Sequence, residues 1–293
     1  MNHWDSFSRF CAAELATGGP DPQIAVLEHI AAPHPPHERV WLAGCYGAHH
    51  CLPSAIAVWE RFRPRQVVDA LSAPLTEFLA NYWDDLPVRP EMRSHRMLEK
   101  RVDCLRGFAL YAIQDVWQMN VDYQFMWRDS IDRIPYYNRY MAIKYLEILR
   151  RTVRPDLIIP DMRAKGGWSP RKTLALLYPS DAEILGNKER NGPEDVALTE
   201  MTAKLARAHL RDMGVVVSMF QLQVLLCEYK EALAGGYYPG ASLDEELDYM
   251  KLCSIKSAND RVLQARAEIF RPEHLGEISG WDGIRKEKYQ EWK

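Results

Sequence analysis

The apolar residues of this 293-residue chain recur at intervals of three and four between a few proline- and glycine-rich breaks. That spacing restricts the folds open to it. Leu98, Val102, Leu105, Ala109 and Ala112 follow the pattern, and so do Met141, Tyr145, Ile148 and Leu149. Side chains at such intervals share one face of an α-helix. A longer pattern runs from Pro193, placed as a first helical residue, to Leu233, with an interruption at Gly214 and the β-branched run Val215 to Val217. The breaks lie at residues 18–22, 33–36, 87–90, 155–160, 186–192 and 235–240. Alternation with period two is scarce, and Leu157 to Ile159 is the only short β-like run. The spacing predicts a mainly α-helical fold, one catalytic unit over residues 1–293 with two helical lobes.

Composition narrows the class. With 47% apolar and 26% charged residues, the chain matches ordinary soluble globular proteins, and 33.9 kDa suffices to bury a sizeable core. No apolar run approaches the roughly 20 residues of a membrane span. MNHWDSFSRF lacks the basic and apolar blocks of a secretory signal. Six scattered cysteines without a CxxC pair fit a reducing cytoplasm. The net charge of −3 hides a strong pattern. Residues 93–175 hold 16 Lys/Arg against 9 Asp/Glu, residues 1–92 hold 6 against 11, and residues 176–293 hold 15 against 20. The expected division is therefore a basic lobe, 93–175, and an acidic lobe, 1–92 plus 176–293. A basic middle can focus its field on phosphates although the whole chain is slightly acidic.

Four segments hold the residues suited to chemistry. Trp41 to Trp59 gathers Tyr46, His49 and His50 ahead of Pro53, which can open a helix. Cys45, His49, His50 and Cys51 make a poor zinc site, because adjacent histidines point apart on any regular backbone. A predicted helix from Met92 to Trp117, continued through Asp122 and Arg128, carries Arg93, Arg96, Lys100, Arg101 and Arg106 at near-helical spacing. These residues suit a phosphate-facing stripe, while Asp115 and Asp122 among aromatics suit either acid–base work or pairing with those arginines. Next, Asp161, Arg163 and Lys165 precede Gly166-Gly167, and Ser169-Pro170 resembles a helix start with Arg171 and Lys172 in its first turn. Backbone N–H groups there, flanked by Arg and Lys, suit an anion such as diphosphate. Last, Glu228, Lys230 and Tyr237 line the helix end and turn LCEYKEALAGGYYPG.

The stretch IPYYNRYMAIKYLEILRRTVRPDLIIPDMRAK, residues 134–165, resembles the helix-hairpin-helix DNA glycosylases. In those enzymes a Leu-Pro-Gly-hydrophobic-Gly turn opens a helix, and a catalytic aspartate follows it. Here Pro135 leads, Tyr136 and Asn138 stand where the glycines would be, and Asp161 comes 26 positions after the proline. No lysine occupies the turn position that bifunctional glycosylases use for a Schiff base. With CYGAHHCLPSAIAVWERF, PDMRAKGGWSPR and LCEYKEALAGGYYPG, the chain resembles over about residues 40–240 the phage alpha-glutamyl/putrescinyl thymine pyrophosphorylases, or amino acid:DNA transferases.

That resemblance implies an all-helical fold distantly related to helix-hairpin-helix glycosylases and a role in DNA hypermodification. The diphosphate on diphosphorylated 5-hydroxymethyluracil in DNA would be replaced by an amine, from an amino acid or a polyamine, with release of pyrophosphate. The nucleotide would be extruded from the duplex. Asp161 would deprotonate the amine or stabilise developing positive charge, and His49, His50 and Tyr46 would hold the base or assist proton transfer. Arg163, Lys165, Arg171 and Lys172 would take diphosphate or backbone phosphate, and Arg139 and Lys144 would clamp DNA. No resident metal site is expected, although a divalent ion could accompany the diphosphate, and no membrane is involved. Two alternatives remain open: a glycosylase-like hydrolase of a modified base using Asp161, and a non-catalytic helical module of a DNA-modifying complex. The absence of GxxxxGK[ST] means that the chain is not itself a P-loop kinase.

Overall fold

The computed structural model describes residues 3–69, 73–90, 92–118 and 122–275. Among them lie fifteen α-helices: α1 (His3–Ala16), α2 (Pro22–Ala31), α3 (Pro36–His49), α4 (Leu52–Arg61), α5 (Pro64–Asp69), α6 (Ala73–Asn81), α7 (Leu98–Ile113), α8 (Tyr123–Arg133), α9 (Arg139–Thr152), α10 (Trp168–Leu177), α11 (Ala182–Leu185), α12 (Pro193–Asp212), α13 (Met219–Leu233), α14 (Ala241–Leu252) and α15 (Lys256–Ile269). No strand occurs among the described residues, so the fold is all-α as the spacing predicts. None of the helices is long and apolar enough to cross a membrane.

The β-like run Leu157 to Ile159 is irregular chain rather than a strand. Arg154 holds Asp156 through two hydrogen bonds of 2.8 and 2.7 Å, and Leu157 N–H closes a turn onto Arg154 C=O. The interruption near Gly214 is real. Gly214 takes φ +84°, Val215 N–H reaches back to Leu210 C=O at 2.8 Å, and Ser218 and Gln221 cap each other to start α13. The helix expected over 92–117 is divided. A 3₁₀ turn (Arg93–Arg96) precedes α7 and another (Val116–Gln118) follows it. Asp122 is the N-cap of α8, accepting Phe125 N–H at 2.8 Å. The basic stripe loses one member: Arg101 is buried, 3.9 Å above the Trp83 ring, and donates to His95 and Leu86 carbonyls, while Arg96 is exposed and Lys100 and Arg106 are partly exposed.

The chain divides into two compact units, residues 3–22 with 159–244 and residues 23–158 with 245–275. This is not the division at 92/93 and 175/176 that charge suggests. Charge marks solvent-facing surfaces, whereas the units follow the apolar stripes that pack together. The first unit is cored by Phe7 and Phe10 of α1, Leu174 of α10, Ala203 and Leu210 of α12, and Leu222, Leu226 and Tyr229 of α13. Burial of each large side chain there contributes roughly 1.5–3 kcal/mol. Thr173 Oγ1 ties α10 to α13 by donating to Leu226 C=O at 2.6 Å.

The second unit is built around α3, whose residues from Val40 to His49 are all buried. Its sequence permits this because Gly44 and Gly47 lie where α7 comes closest. A Cβ at Gly44 would meet Phe108 Cβ at 2.6 Å, and one at Gly47 would meet Phe108 Cζ at 2.6 Å. Gly107 does the same for the α8–α9 turn, since a Cβ there would stand 2.7 Å from Pro135 Cδ.

Alanine is favoured over glycine in a helix by about 1 kcal/mol, yet Gly44→Ala is expected to destabilise the protein by about 1–3 kcal/mol. Gly47→Ala should cost less, because it meets the far edge of the Phe108 ring and not its root. Urea unfolding midpoints check the order, and a neutral or stabilising Gly44→Ala would show that the approach is looser than described.

Candidate functional site

The end of α3 gathers polar groups in the interior of the second unit. The last carbonyls of a helix lack partners within it, and here several are met by nearby donors. Cys45 C=O accepts from His49 Nδ1 at 2.8 Å, Tyr46 C=O from His50 N–H, Ala48 C=O from His95 Nδ1 at 2.7 Å, and His49 C=O from Arg89 N–H at 3.1 Å. These bonds place the proton of His49 and of His95 on Nδ1. Burial first, then the Arg101 charge, lowers the His49 pKa to about 3, so its ring is neutral. The adjacent histidines do diverge, as the sequence predicts: His49 serves the helix end and His50 does not.

His50 is the left-handed cap of α3, at φ +50°. Its side chain is 1% exposed, and neither ring nitrogen makes a hydrogen bond among the described residues. The ring lies parallel to Tyr46, 5.5 Å between centroids at 7°, and 5.8 Å from Tyr140. Burial, and then the charges of Lys144 and Arg89, hold its pKa well below the usual histidine value. A neutral imidazole offers one donor and one acceptor. Lys144 was expected to clamp DNA, but it is 4% exposed with Nζ 5.1 Å from the Tyr140 ring centre. Its charge is spent inside, beside His50. Arg139 stays partly exposed in the first turn of α9.

Beside His50, Cys51 starts α4 in extended conformation and Pro53 sits in the first turn, the helix start that the sequence suggests. Leu52 N–H donates to Glu246 Oε1 at 3.1 Å. Glu246 is fully buried, and desolvation outweighs Arg89 and Arg266 to raise its pKa to about 7. Burial also pushes the Cys45 and Cys51 thiols up. No group of three or more potential metal ligands is gathered among the described residues.

The hairpin segment is a helix–turn–helix in space. α8 ends at Arg133, Pro135 packs on Gly107, and Asn138 caps α9 by accepting Met141 N–H at 3.2 Å. Tyr136 adopts φ +59°, a left-handed conformation that costs glycine nothing and a tyrosine on the order of 1 kcal/mol. Lys100 Nζ stands 5.4 Å from its ring centre.

In the first unit, Asp161 Oδ1 accepts from the backbone N–H of Arg163 at 3.1 Å and forms an ion pair with its Nε, also at 3.1 Å, with Arg163 at φ +53°. Glu200 of α12 holds this loop by accepting Met162 N–H at 2.9 Å and Ala164 N–H at 2.5 Å. The expected anion cradle forms only in part. α10 begins at Trp168, with Gly167 as N-cap, one residue before Ser169. Arg171 turns inward and donates to the Arg190, Ile184 and Asn187 carbonyls and to Asn191 Oδ1. That occupation removes it from the anion-binding set. Lys165 remains exposed, and Lys172 is partly exposed with Nζ 5.1 Å from the Trp168 ring centre.

The α13 end holds a second buried cluster. Tyr237 hydroxyl bonds Glu14 Oε1 at 3.1 Å and Ser242 Oγ at 3.2 Å, and Gly240 N–H donates to Glu14 Oε2 at 3.0 Å. Burial and the nearby carboxylates of Glu14 and Glu228 push the Tyr237 pKa well above that of a free tyrosine. Lys230 pairs with Glu231 at 2.5 Å. Glu14 and Glu200 were not among the expected site residues. Glu14 has a signal, a carboxylate on the apolar stripe Phe7, Phe10, Cys11, whereas Glu200 has none.

Comparison with protein-family models, curated proteins and solved structures yields no match.

Glu246 gives a pH test with a fixed sign. Its folded pKa, about 7, exceeds the ordinary glutamate value of 4.5, so its protonated form favours folding. That contribution is full below pH 4.5 and is lost as pH rises through 7, on the order of 3 kcal/mol in all. Glu246→Gln, which can still accept Leu52 N–H, should therefore gain stability relative to the parent chain between pH 5 and 8. Urea unfolding at both pH values checks it, and a constant gap would mean that Glu246 titrates normally.

Proposed function

We propose that this protein is a DNA hypermodification transferase, which replaces the diphosphate of diphosphorylated 5-hydroxymethyluracil in DNA with an amine. The observation that carries this reading is His50. A buried, neutral imidazole with both nitrogens unused is expensive unless a ligand satisfies it. Its parallel stack on Tyr46 and the neighbouring Tyr140 suit a planar polar ring. An extruded pyrimidine supplies such a ring, with carbonyl acceptors and an imide N–H donor. The sequence motifs at 45–62, 134–149, 160–171 and 226–240 point to the same chemistry.

In this reading the C–O bond between the exocyclic methylene and diphosphate breaks, and a C–N bond to the amine forms. Diphosphate leaves with the bonding pair, and the pyrimidine ring shares the positive charge left on the methylene. The amine must be unprotonated to attack and loses a proton afterwards. In the first unit, Asp161 is the candidate to accept that proton, with the Arg163 guanidinium beside it, and Lys165 and Lys172 are the candidates to neutralise diphosphate, joined by any divalent ion that travels with it. In the second unit, Tyr46 and His50 are the residues suited to hold the ring. His49, tied to Cys45 C=O, positions the segment.

The test is incubation with duplex DNA carrying the diphosphorylated base and a pool of amino acids and polyamines, with and without EDTA, followed by mass spectrometry of digested nucleosides. An amine-linked thymidine is expected, and Asp161→Asn should lower its formation about 10²–10⁴-fold. Free modified base or abasic sites would replace the transferase with a glycosylase-like hydrolase, the reading favoured by the α8–turn–α9 hairpin ahead of Asp161. DNA binding without any product would leave an accessory module.

His50→Asn separates function from folding. Asparagine tolerates the left-handed backbone, and no hydrogen bond is lost, so stability should fall by only about 1–2 kcal/mol. Product formation should fall at least about tenfold. Full activity in this variant would remove His50 from base binding.

A further inference from the structure

The C-terminal half of α12 carries a charged groove that the chemistry above does not use. Lys204, Arg207 and Arg211 line a cavity of about 250 Å³, closed on the other side by Val216 and Val217 beyond the Gly214 turn. All three cations are exposed. They stand at i, i+3 and i+7, on one face and along about 10 Å of helix axis. Their one carboxylate neighbour within ion-pair distance among the described residues is Asp212, 3.7 Å from Arg211 Nε, with both side chains about 70% exposed. Such a pair neutralises little. A cation near a helix C-terminus is favoured by the helix dipole, which accounts for Arg211. The dipole effect fades within the last turn and does not explain Lys204 or Arg207.

We propose that this groove grips the phosphodiester backbone of DNA. Three cations in line face a polyanion whose phosphates recur every 3.4 Å of axis along each strand. Arginine supplies forked donors to phosphate oxygens and lysine a mobile point charge. A row of cations along one helix fits a linear polyanion better than a planar anionic surface. The proposal shares with the transferase reading only its DNA, and sequence-independent grip is what an enzyme reading a modified base by extrusion requires.

Fluorescence anisotropy with a labelled 20-base-pair duplex, at several salt concentrations, tests it. The triple variant Lys204→Gln, Arg207→Gln, Arg211→Gln should bind about 10–100-fold more weakly at 0.1 M salt. Its slope of log affinity against log salt should be shallower by about 2–3, since each lost phosphate contact removes roughly 0.9. A charge-matched control, Arg9→Gln, Arg61→Gln, Lys256→Gln, should change either quantity far less, and circular dichroism melts confirm that both variants fold. Equal losses in the two triples, an unchanged groove triple, or binding to anionic phospholipid vesicles in place of DNA would each overturn the proposal. A protein that grips DNA through the groove but forms no amine-linked product would retire the transferase reading and keep this one. Product formed with undiminished DNA affinity in the groove triple would do the reverse.

Discussion

A helix that ends inside a protein must find donors for its last carbonyls where water cannot supply them, and α3 imposes that demand on the second unit. Gly44 and Gly47 let Phe108 of α7 close over it, which leaves its final turn dry. His49, His95 and the Arg89 backbone then each donate to a carbonyl of that turn. An unmet buried carbonyl costs about 1–3 kcal/mol, so these residues are explained by folding. His50 is not. Its main chain closes the helix, while its ring packs beside tyrosines with neither nitrogen hydrogen-bonded among the described residues. Subtracting what the helix end requires is what separates a candidate ligand contact from its neighbours.

Elements fixed by neighbours in the chain are legible along it, and those fixed by distant packing are not. The apolar spacing at 98–112 and 141–149, the helix start at Pro193 and the break at Gly214 follow from local physics, and all appear where expected. The inward turn of Arg171 was not legible, because its partners are carbonyls 13 to 19 residues away, brought near only by the packing of α10 on α11 and α12. Lys144 misleads for a related reason: on a helix rich in basic residues a lysine reads as surface, yet α9 buries it. The lobe boundary failed because net charge reports on surfaces and not on which apolar faces meet. Glu14 was readable in principle, from a carboxylate interrupting Phe7, Phe10 and Cys11.

Buried charge is distributed unevenly between duties. Arg101, Arg171, Glu14 and Glu246 bind backbone groups and so substitute for water in the interior. Leaving such a buried backbone group unmet would cost about 1–3 kcal/mol. Asp161 and the exposed Lys165 stand apart, since their side chains remain at least partly open to solvent. In the first unit Glu200 fixes the backbone of the segment that carries them, accepting the Met162 and Ala164 N–H groups.

The bond from Leu52 N–H to Glu246 joins positions 194 residues apart within one unit. During synthesis on the ribosome, α4 therefore emerges long before its cap. The intervening residues 159–244 belong to the other unit and can pack on α1 while the second unit still waits for α14 and α15. The later unit to close is the one that shelters His50. A nascent chain stopped at residue 244 would lack the carboxylate to which Leu52 N–H donates at the start of α4. Order of emergence thus leaves the polar interior around His50 open to water until α14 and α15 have emerged.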